Sequence, residues 1–201
     1  MKERPIIFNA EMVKAILEGR KTQARRVMKP QPDKRVNHFG VARGFGFKEP
    51  LWLGLEGEGM DSLIMGDWVK SPYGNVGDRL WVRETYHIDS PAISMPIEKE
   101  TAIINYKADS SNEDLRCCNL KWKPSIFMPR WASRISLEIT DIRVERVQEI
   151  SEGDAEKEGL KLLQGGIRVE FENLWNSIHK KQNCWEDNPF VWCISFKLLT
   201  P

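Results

Sequence analysis

Four cations crowd the run Gly19-Arg20-Lys21-Thr22-Gln23-Ala24-Arg25-Arg26. The run follows a short amphipathic segment, and Gly19 reads as the stop of that segment, because glycine takes the left-handed conformation past a helix end without steric cost. A chain that leaves a helix into Arg20, Lys21, Arg25 and Arg26 suits a phosphate-bearing or otherwise anionic ligand. The same charges also fit a solvated basic loop. A second group lies on the alternating stretch Arg79–Tyr86, where Arg79, Trp81 and Arg83 share one face. Such a cation–aromatic–cation stripe suits base stacking and phosphate contact, or else an exposed strand face with Trp81 partly covered. Glu84 falls on the opposite, apolar face with Leu80 and Val82, so it either pairs with an arginine or lines a cleft. Arg130 and Arg134 flank Trp131 and either extend the basic surface or edge a packing corner around that ring.

The composition narrows the function classes. The 201 residues are expected to form one domain. They carry 30 Lys and Arg against 29 Asp and Glu, so nucleic-acid contact must come from a local patch and not from a global field. No apolar run is long enough to span a membrane, and the first residues lack the apolar stretch of a secretory signal. Cys117, Cys118, Cys184 and Cys193 show no zinc-like spacing, which fits free thiols in a reducing cytoplasm. His38, His87 and His179 are scattered and read as structural or exposed. No metal or cofactor is implied. The eight tryptophans are expected to be mostly core, with Trp192 inside.

The elements that must hold these residues follow from periodicity. Pro5–Phe8 reads as a strand. Asn9 is a good N-cap for a helix over Ala10–Glu18, with Met12, Val13, Ile16 and Leu17 at helical spacing. About 33–66 reads as a loop-rich insertion, and about 88–123 as a second. Short strands are expected at Asp67–Tyr73, Arg79–Tyr86 and Thr101–Tyr106. The longest strand signal is Ser133–Glu149. Its apolar phase slips from Ile135, Leu137 and Ile139 to Ile142 and Val144, which implies a bulge near Thr140 and Asp141. Ser151 opens a short helix that Gly159 ends, and Phe171, Leu174, Trp175 and Ile178 mark another. The chain closes with a strand from Phe190 to Leu199. Together these elements predict an α+β fold on a small mixed β-barrel, with helices at its rim.

The spacing Gly19-x-Lys21-Thr22-x-x-x-Arg26 resembles the G-x-K-T-x-T-x-R signature of the ASCH family, within the PUA-like superfamily. The surrounding PIIFNAEMVKAILEGRKTQ, SPYGNVGDRLWVRETY, KPSIFMPRWASRISLEITDIRVERVQEIS and NPFVWCISFKLL are similar to ASCH proteins carried by bacteriophages and prophages. The resemblance covers nearly the whole chain outside the two insertions. It implies a PUA-like barrel that binds RNA or a modified nucleoside in a cleft beside the signature. One bacterial branch of the family hydrolyses the acetyl amide of N4-acetylcytidine with a Lys, a Thr and a Glu. Lys21 matches the lysine, and Glu158, in the helix after the long strand, matches the glutamate. The threonine position holds Ala24, which has no nucleophilic atom.

By the covalent route the chain as it stands is therefore expected to be inactive or strongly impaired. Ala24 leaves three readings open: a binding protein or an enzyme that activates water directly, a nucleophile removed by design, or a branch that never uses this chemistry. The candidate catalytic positions are Lys21, Glu158 and Ala24. The candidate ligand contacts are Thr22, Arg25, Arg26, Arg79, Trp81, Arg83, Glu84 and Arg130. The alternatives are a binding module without chemistry and an RNA-cleaving enzyme.

Overall fold

In chain order the computed structural model holds β1 (Glu3–Ile7), α1 (Ala10–Leu17), β2 (Gln23–Val27), β3 (His38–Ala42), β4 (Leu51–Glu56), β5 (Leu63–Ile64), β6 (Arg79–Arg83), β7 (Tyr86–Asp89), β8 (Ile103–Tyr106), β9 (Ser136–Arg146), α2 (Glu152–Lys157), α3 (Ile167–Ile178) and β10 (Phe190–Leu199). The structure describes residues 1–42, 51–56, 63–64, 69–89, 103–110, 121–161 and 165–199. Five strands form a mixed sheet in the order β1-β6-β9-β10-β2, with β1 parallel to β6 and the other pairs antiparallel. The fold is α+β. Among the described residues the ladder does not close into a barrel, because no backbone pairing joins the edge strands β1 and β2. They are tied by side chains instead. Arg26 Nη2 donates to Ile7 O at 2.5 Å, and the Phe8 and Phe196 rings meet at 6.1 Å.

β10 is buried on both faces through its first half, and this is why its sequence is apolar at nearly every position. Phe190, Trp192, Ile194 and Phe196 enter the main core with Ile6, Leu80, Leu137 and Ile139. Val191 enters a second core with Val147 just past β9, Ala155 of α2, and Phe171 and Trp175 of α3. The phase slip in β9 has the expected cause: Ser195 pairs with Asp141 and Phe196 with Ile139, so Thr140 is passed over.

The stretch expected to be a loop-rich insertion at 33–66 holds a three-stranded sheet, β3-β4-β5. Leu51, Trp52 and Leu53 are buried, and Trp52 meets Trp192 edge-on at 5.0 Å. Apolar residues consecutive in sequence hide strand alternation when both faces are covered, and glycine at 40 and 54 further masks the pattern. The other insertion contributes the β7–β8 hairpin. The strand expected over Asp67–Tyr73 reduces to a bridge between Val69 and Trp52, with Asp67 and Trp68 outside the described residues. The loop at 91–100 and the thiols Cys117 and Cys118 also lie outside them. Among the described residues no helix is long and apolar enough to cross a membrane.

Local chemistry sets the ends of the elements beside the site. Asn9 Oδ1 accepts from Met12 N at 2.8 Å and starts α1, and Ser151 Oγ accepts from Asp154 N at 3.1 Å and starts α2. Gly159 follows α2 at φ +86°, and a Cβ there would lie 2.8 Å from Lys21 Cβ and 2.9 Å from Ala15 Cβ. The missing side chain is what lets the end of α2 rest on the start of β2. Gly159→Ala should lower stability by about 2–4 kcal/mol, from left-handed backbone strain plus overpacking. The urea midpoint measures it, and an unchanged midpoint would show that this approach is not tight.

Candidate functional site

The basic run does not form a turn. Gln23–Val27 is a strand, and Lys21 forms an isolated antiparallel bridge with Glu158 just before it. Thr22 N donates to Lys157 O at 2.8 Å, so the backbone itself carries the end of α2 against this segment. Lys21 is buried, and its Nζ donates to Glu158 Oε2 at 2.5 Å and to Glu158 O at 2.9 Å. The other carboxylate oxygen of Glu158 accepts from Arg25 Nη1 at 3.2 Å. Glu158 thus bridges two cations, and the positions that sequence placed 137 apart are in contact.

Arg25 is clamped on every side. Its Nε and Nη2 donate to Glu145 Oε1 at 2.9 and 2.5 Å, its Nη1 donates to Gln23 Oε1 at 2.7 Å, and its Nη2 lies 3.3 Å from Asp154 Oδ2. Arg143 donates to Glu145 at 2.8 Å and also to Asp154. Lys21, Arg25 and Arg143 are therefore set against Glu145, Asp154 and Glu158. Glu145 is mostly buried in this network. The phase slip in β9 hid that role, since it changes which charged positions face α2.

Beside the network lies a cleft that encloses about 540 Å3 of space, its open mouth included. Lys21, Ala24, Arg25, Arg26, Val27 and Glu158 line it, with Phe8 and Met12 from the β1–α1 segment. α3 adds Phe171, Leu174, Trp175 and Ile178, and His179 follows at its end. Trp175 and His179 stack with centroids 4.4 Å apart. Arg26 lies over the Phe8 ring at 5.0 Å. Among the described residues it has no carboxylate at ion-pair distance, so it brings charge to the cleft that the network does not cancel.

Burial pushes the Lys21 ammonium below the ordinary lysine range. Glu158 pulls it back, and Arg26 and Arg25 add a smaller push downward. Desolvation is the largest of these causes. Arg20 stands apart, bound to Glu18 and to Gly159 O. Burial also lowers His179, with Arg26 and Lys29 adding to it. Burial raises the Cys193 thiol, which stays protonated opposite Arg25.

Of the sequence-derived candidates, the structure brings together Lys21, Ala24, Arg25, Arg26 and Glu158. Thr22 is exposed and does not line the cleft. Arg79, Trp81 and Arg83 lie on the outer face of β6 and do not line it either. Trp81 is flanked by Arg83 at 5.4 Å and Arg130 at 5.9 Å. Arg83 donates to Met128 O and Ile126 O, and Arg130 to Glu3. Glu84 does not line this cleft. It is buried and held by Arg134 at 3.0 and 3.2 Å, with burial raising its carboxyl and Arg134 opposing that. Sequence reasoning missed the apolar walls. Phe171, Leu174, Trp175 and Ile178 signalled only a packed helix, and His179 gave no signal beyond following it.

Among the described residues no cluster of His, Cys, Asp and Glu is arranged to hold a metal ion. No protein-family model, curated protein or solved structure matches the chain.

Glu158→Gln leaves two buried cations short of an anion and should cost about 3–5 kcal/mol in urea unfolding. The double variant Lys21→Met with Glu158→Gln should lose less than the two single losses combined, because one stranded charge is gone. Strict additivity would show that the pair is not coupled. His179 supplies a pH signature. The unfolded chain protonates near pH 6.5, while the folded chain resists protonation until lower pH. Stability is therefore lost as pH falls from about 6.5 toward the lowered folded value. His179→Gln should flatten that part of the stability–pH curve.

Proposed function

We propose that the chain takes an RNA base or a modified nucleoside into the cleft beside β2 and hydrolyses an N-acyl amide there, of the kind found in N4-acetylcytidine. The observation that carries this reading is the contact between Lys21 and Glu158 in the wall of an aromatic-lined cleft. A buried titratable pair whose lysine is lowered by burial, set in a concave site, is a candidate functional site. The reading agrees with the resemblance of Gly19–Arg26 to the ASCH signature, and with the PUA-like barrel that resemblance implies, of which the five-stranded sheet would be the core.

With alanine at position 24, water is the nucleophile. Neutral Lys21 takes a proton from water as its oxygen bonds to the acyl carbon. The carbon–nitrogen bond then breaks, and the proton passes from Lys21 to the leaving amine. Amide plus water gives a carboxylic acid and the free amine. Burial favours the neutral lysine that this step needs, and Glu158 holds its Nζ in place. Arg26 keeps donors for the carbonyl oxygen or for a phosphate. The charge balance inside the network favours a nucleoside over a long phosphate backbone, because among the described residues lining the cleft Arg26 is the one cation without a carboxylate at ion-pair distance.

A second reading is binding without chemistry. Ala24 favours it, and so does the Glu158 carboxylate, which already accepts from two cations. Mass spectrometry on N4-acetylcytidine separates the two. The chain should show slow turnover, Ala24→Thr should raise it by about a hundredfold or more, and Lys21→Met should abolish it. Binding with no turnover by any variant would leave the binding module. Absence of binding would overturn both readings.

A further inference from the structure

Arg79, Trp81 and Arg83 share the outer face of β6, and none of them lines the cleft. Four residues of extended chain set the α-carbons of Arg79 and Arg83 about 13 Å apart, with Trp81 midway. Trp81 is partly exposed, with Arg83 at 5.4 Å and Arg130 at 5.9 Å from its ring centroid. Arg83 is fixed by carbonyl groups: its Nε donates to Met128 O at 3.1 Å and its Nη2 to Ile126 O. Carbonyls orient a guanidinium without cancelling its charge. These two carbonyls stand on either side of Phe127, which is 66 % exposed. Two carboxylates share the face as cross-strand partners of Arg79, Glu3 on β1 and Glu138 on β9. Each is taken by another cation, Glu3 by Arg130 at 3.0 Å and Glu138 by Lys197 at 3.0 Å. Among the described residues no carboxylate lies at ion-pair distance from Arg79 or Arg83, and the Nε of Arg79 is buried without a hydrogen-bond partner.

We propose that this face is a docking platform for single-stranded nucleic acid, separate from the cleft. Bases stack on the planar set of Trp81 and its flanking guanidiniums, with Phe127 beside them, and phosphates meet Arg79 and the Nη1 of Arg83. Aromatic rings interleaved with guanidiniums offer each nucleotide a stacking surface and a cation together. An anionic bilayer is the poorer match. Its recognition uses clusters of about four to eight cations, whereas on this face, among the described residues, Arg79 and Arg83 are the cations left uncancelled. The platform adjoins the cleft without being part of it. Arg83 O accepts from Phe8 N at 3.1 Å, and Ile7, the β1 partner of Arg83, gives its carbonyl to Arg26. One strand, β1, therefore separates the two surfaces. The proposal stands apart from the amide chemistry and needs no occupant in the cleft.

The test is the fluorescence anisotropy of a short fluorescein-labelled oligouridylate, titrated with the full chain across a salt series. Its bases carry no acyl amide. Affinity should fall with a log–log salt slope of about −1.4, as for two phosphates of a single strand. Arg79→Gln should bring that slope to about −0.7. Trp81→Ala should keep the slope, weaken binding about tenfold at every salt concentration, and leave turnover of N4-acetylcytidine as it is in the unaltered chain. Equal affinity in a folded Trp81→Ala variant would overturn the platform. So would loss of binding in Arg26→Gln but not in Trp81→Ala, which would place the strand in the cleft. Binding to phosphatidylserine vesicles with none to the oligonucleotide would overturn it in favour of a bilayer, and no binding to either would overturn it outright. If Trp81→Ala fails to fold, the Arg79→Gln slope decides, and an unchanged slope overturns the proposal. None of these outcomes bears on the amide chemistry, which the N4-acetylcytidine assay reads separately.

Discussion

The contact between Lys21 and Glu158 fixes the position of everything around the cleft. Two buried charges lose hydration worth several kcal/mol each, and attraction between them offsets this only when their remaining hydrogen-bonding positions are filled. Here they are filled by the surrounding chain. Glu158 O takes a second bond from Lys21, and Arg25 takes the free carboxylate oxygen. The backbone of Thr22 holds Lys157, and Gly159 removes the side chain that would push the segments apart. Once α2 is seated in this way, Asp154 and Glu145 fall around Arg25. α3 then packs against the same second core, and its Trp175 side walls the cleft. The ion pair is costly as a stability device, so its persistence is better explained by what it positions.

How much of this was legible in the sequence depends on whether one face or both faces of an element are buried. α1 and α3 each bury one stripe, and helical spacing revealed them directly. The bulge in β9 was visible because the slip from Ile139 to Ile142 changes which face is apolar. β4 was not visible, because Leu51, Trp52 and Leu53 are all buried and leave no alternation to detect. The pairing of Lys21 with Glu158 came from the family pattern and not from any local signal. No local rule connects residues 137 apart. The outward stripe of Arg79, Trp81 and Arg83 was read correctly as one face, yet its place in the sheet sets it apart from the cleft. Facing can be inferred from period two, but which neighbour an outer face meets depends on topology.

Charge counting along the chain also misleads at the signature itself. Arg20, Lys21, Arg25 and Arg26 look like a basic patch, but three of the four are matched by carboxylates within the fold. Arg20 is held by Glu18 and Gly159 O, Lys21 by Glu158, and Arg25 by Glu145, Asp154, Glu158 and Gln23. What remains is one guanidinium, Arg26, above the Phe8 ring. A polyanion is gripped by many unmatched cations and released by salt. A single cation in an aromatic cleft instead orients a small ligand.

An unpaired strand edge is usually a hazard, because it invites another chain to pair with it. The edge at Arg25 and Val27 lies beside a cleft walled by side chains from the β1–α1 segment and from α3, so the seating of α2 and α3 beside β2 covers part of it with side chains. Ala24 fits this picture. Its backbone serves β10 and its methyl packs against the main core where that core meets the cleft wall, so as alanine the position supplies no group of its own. Any chemistry then falls to Lys21 and Glu158, the pair on which the cleft is built.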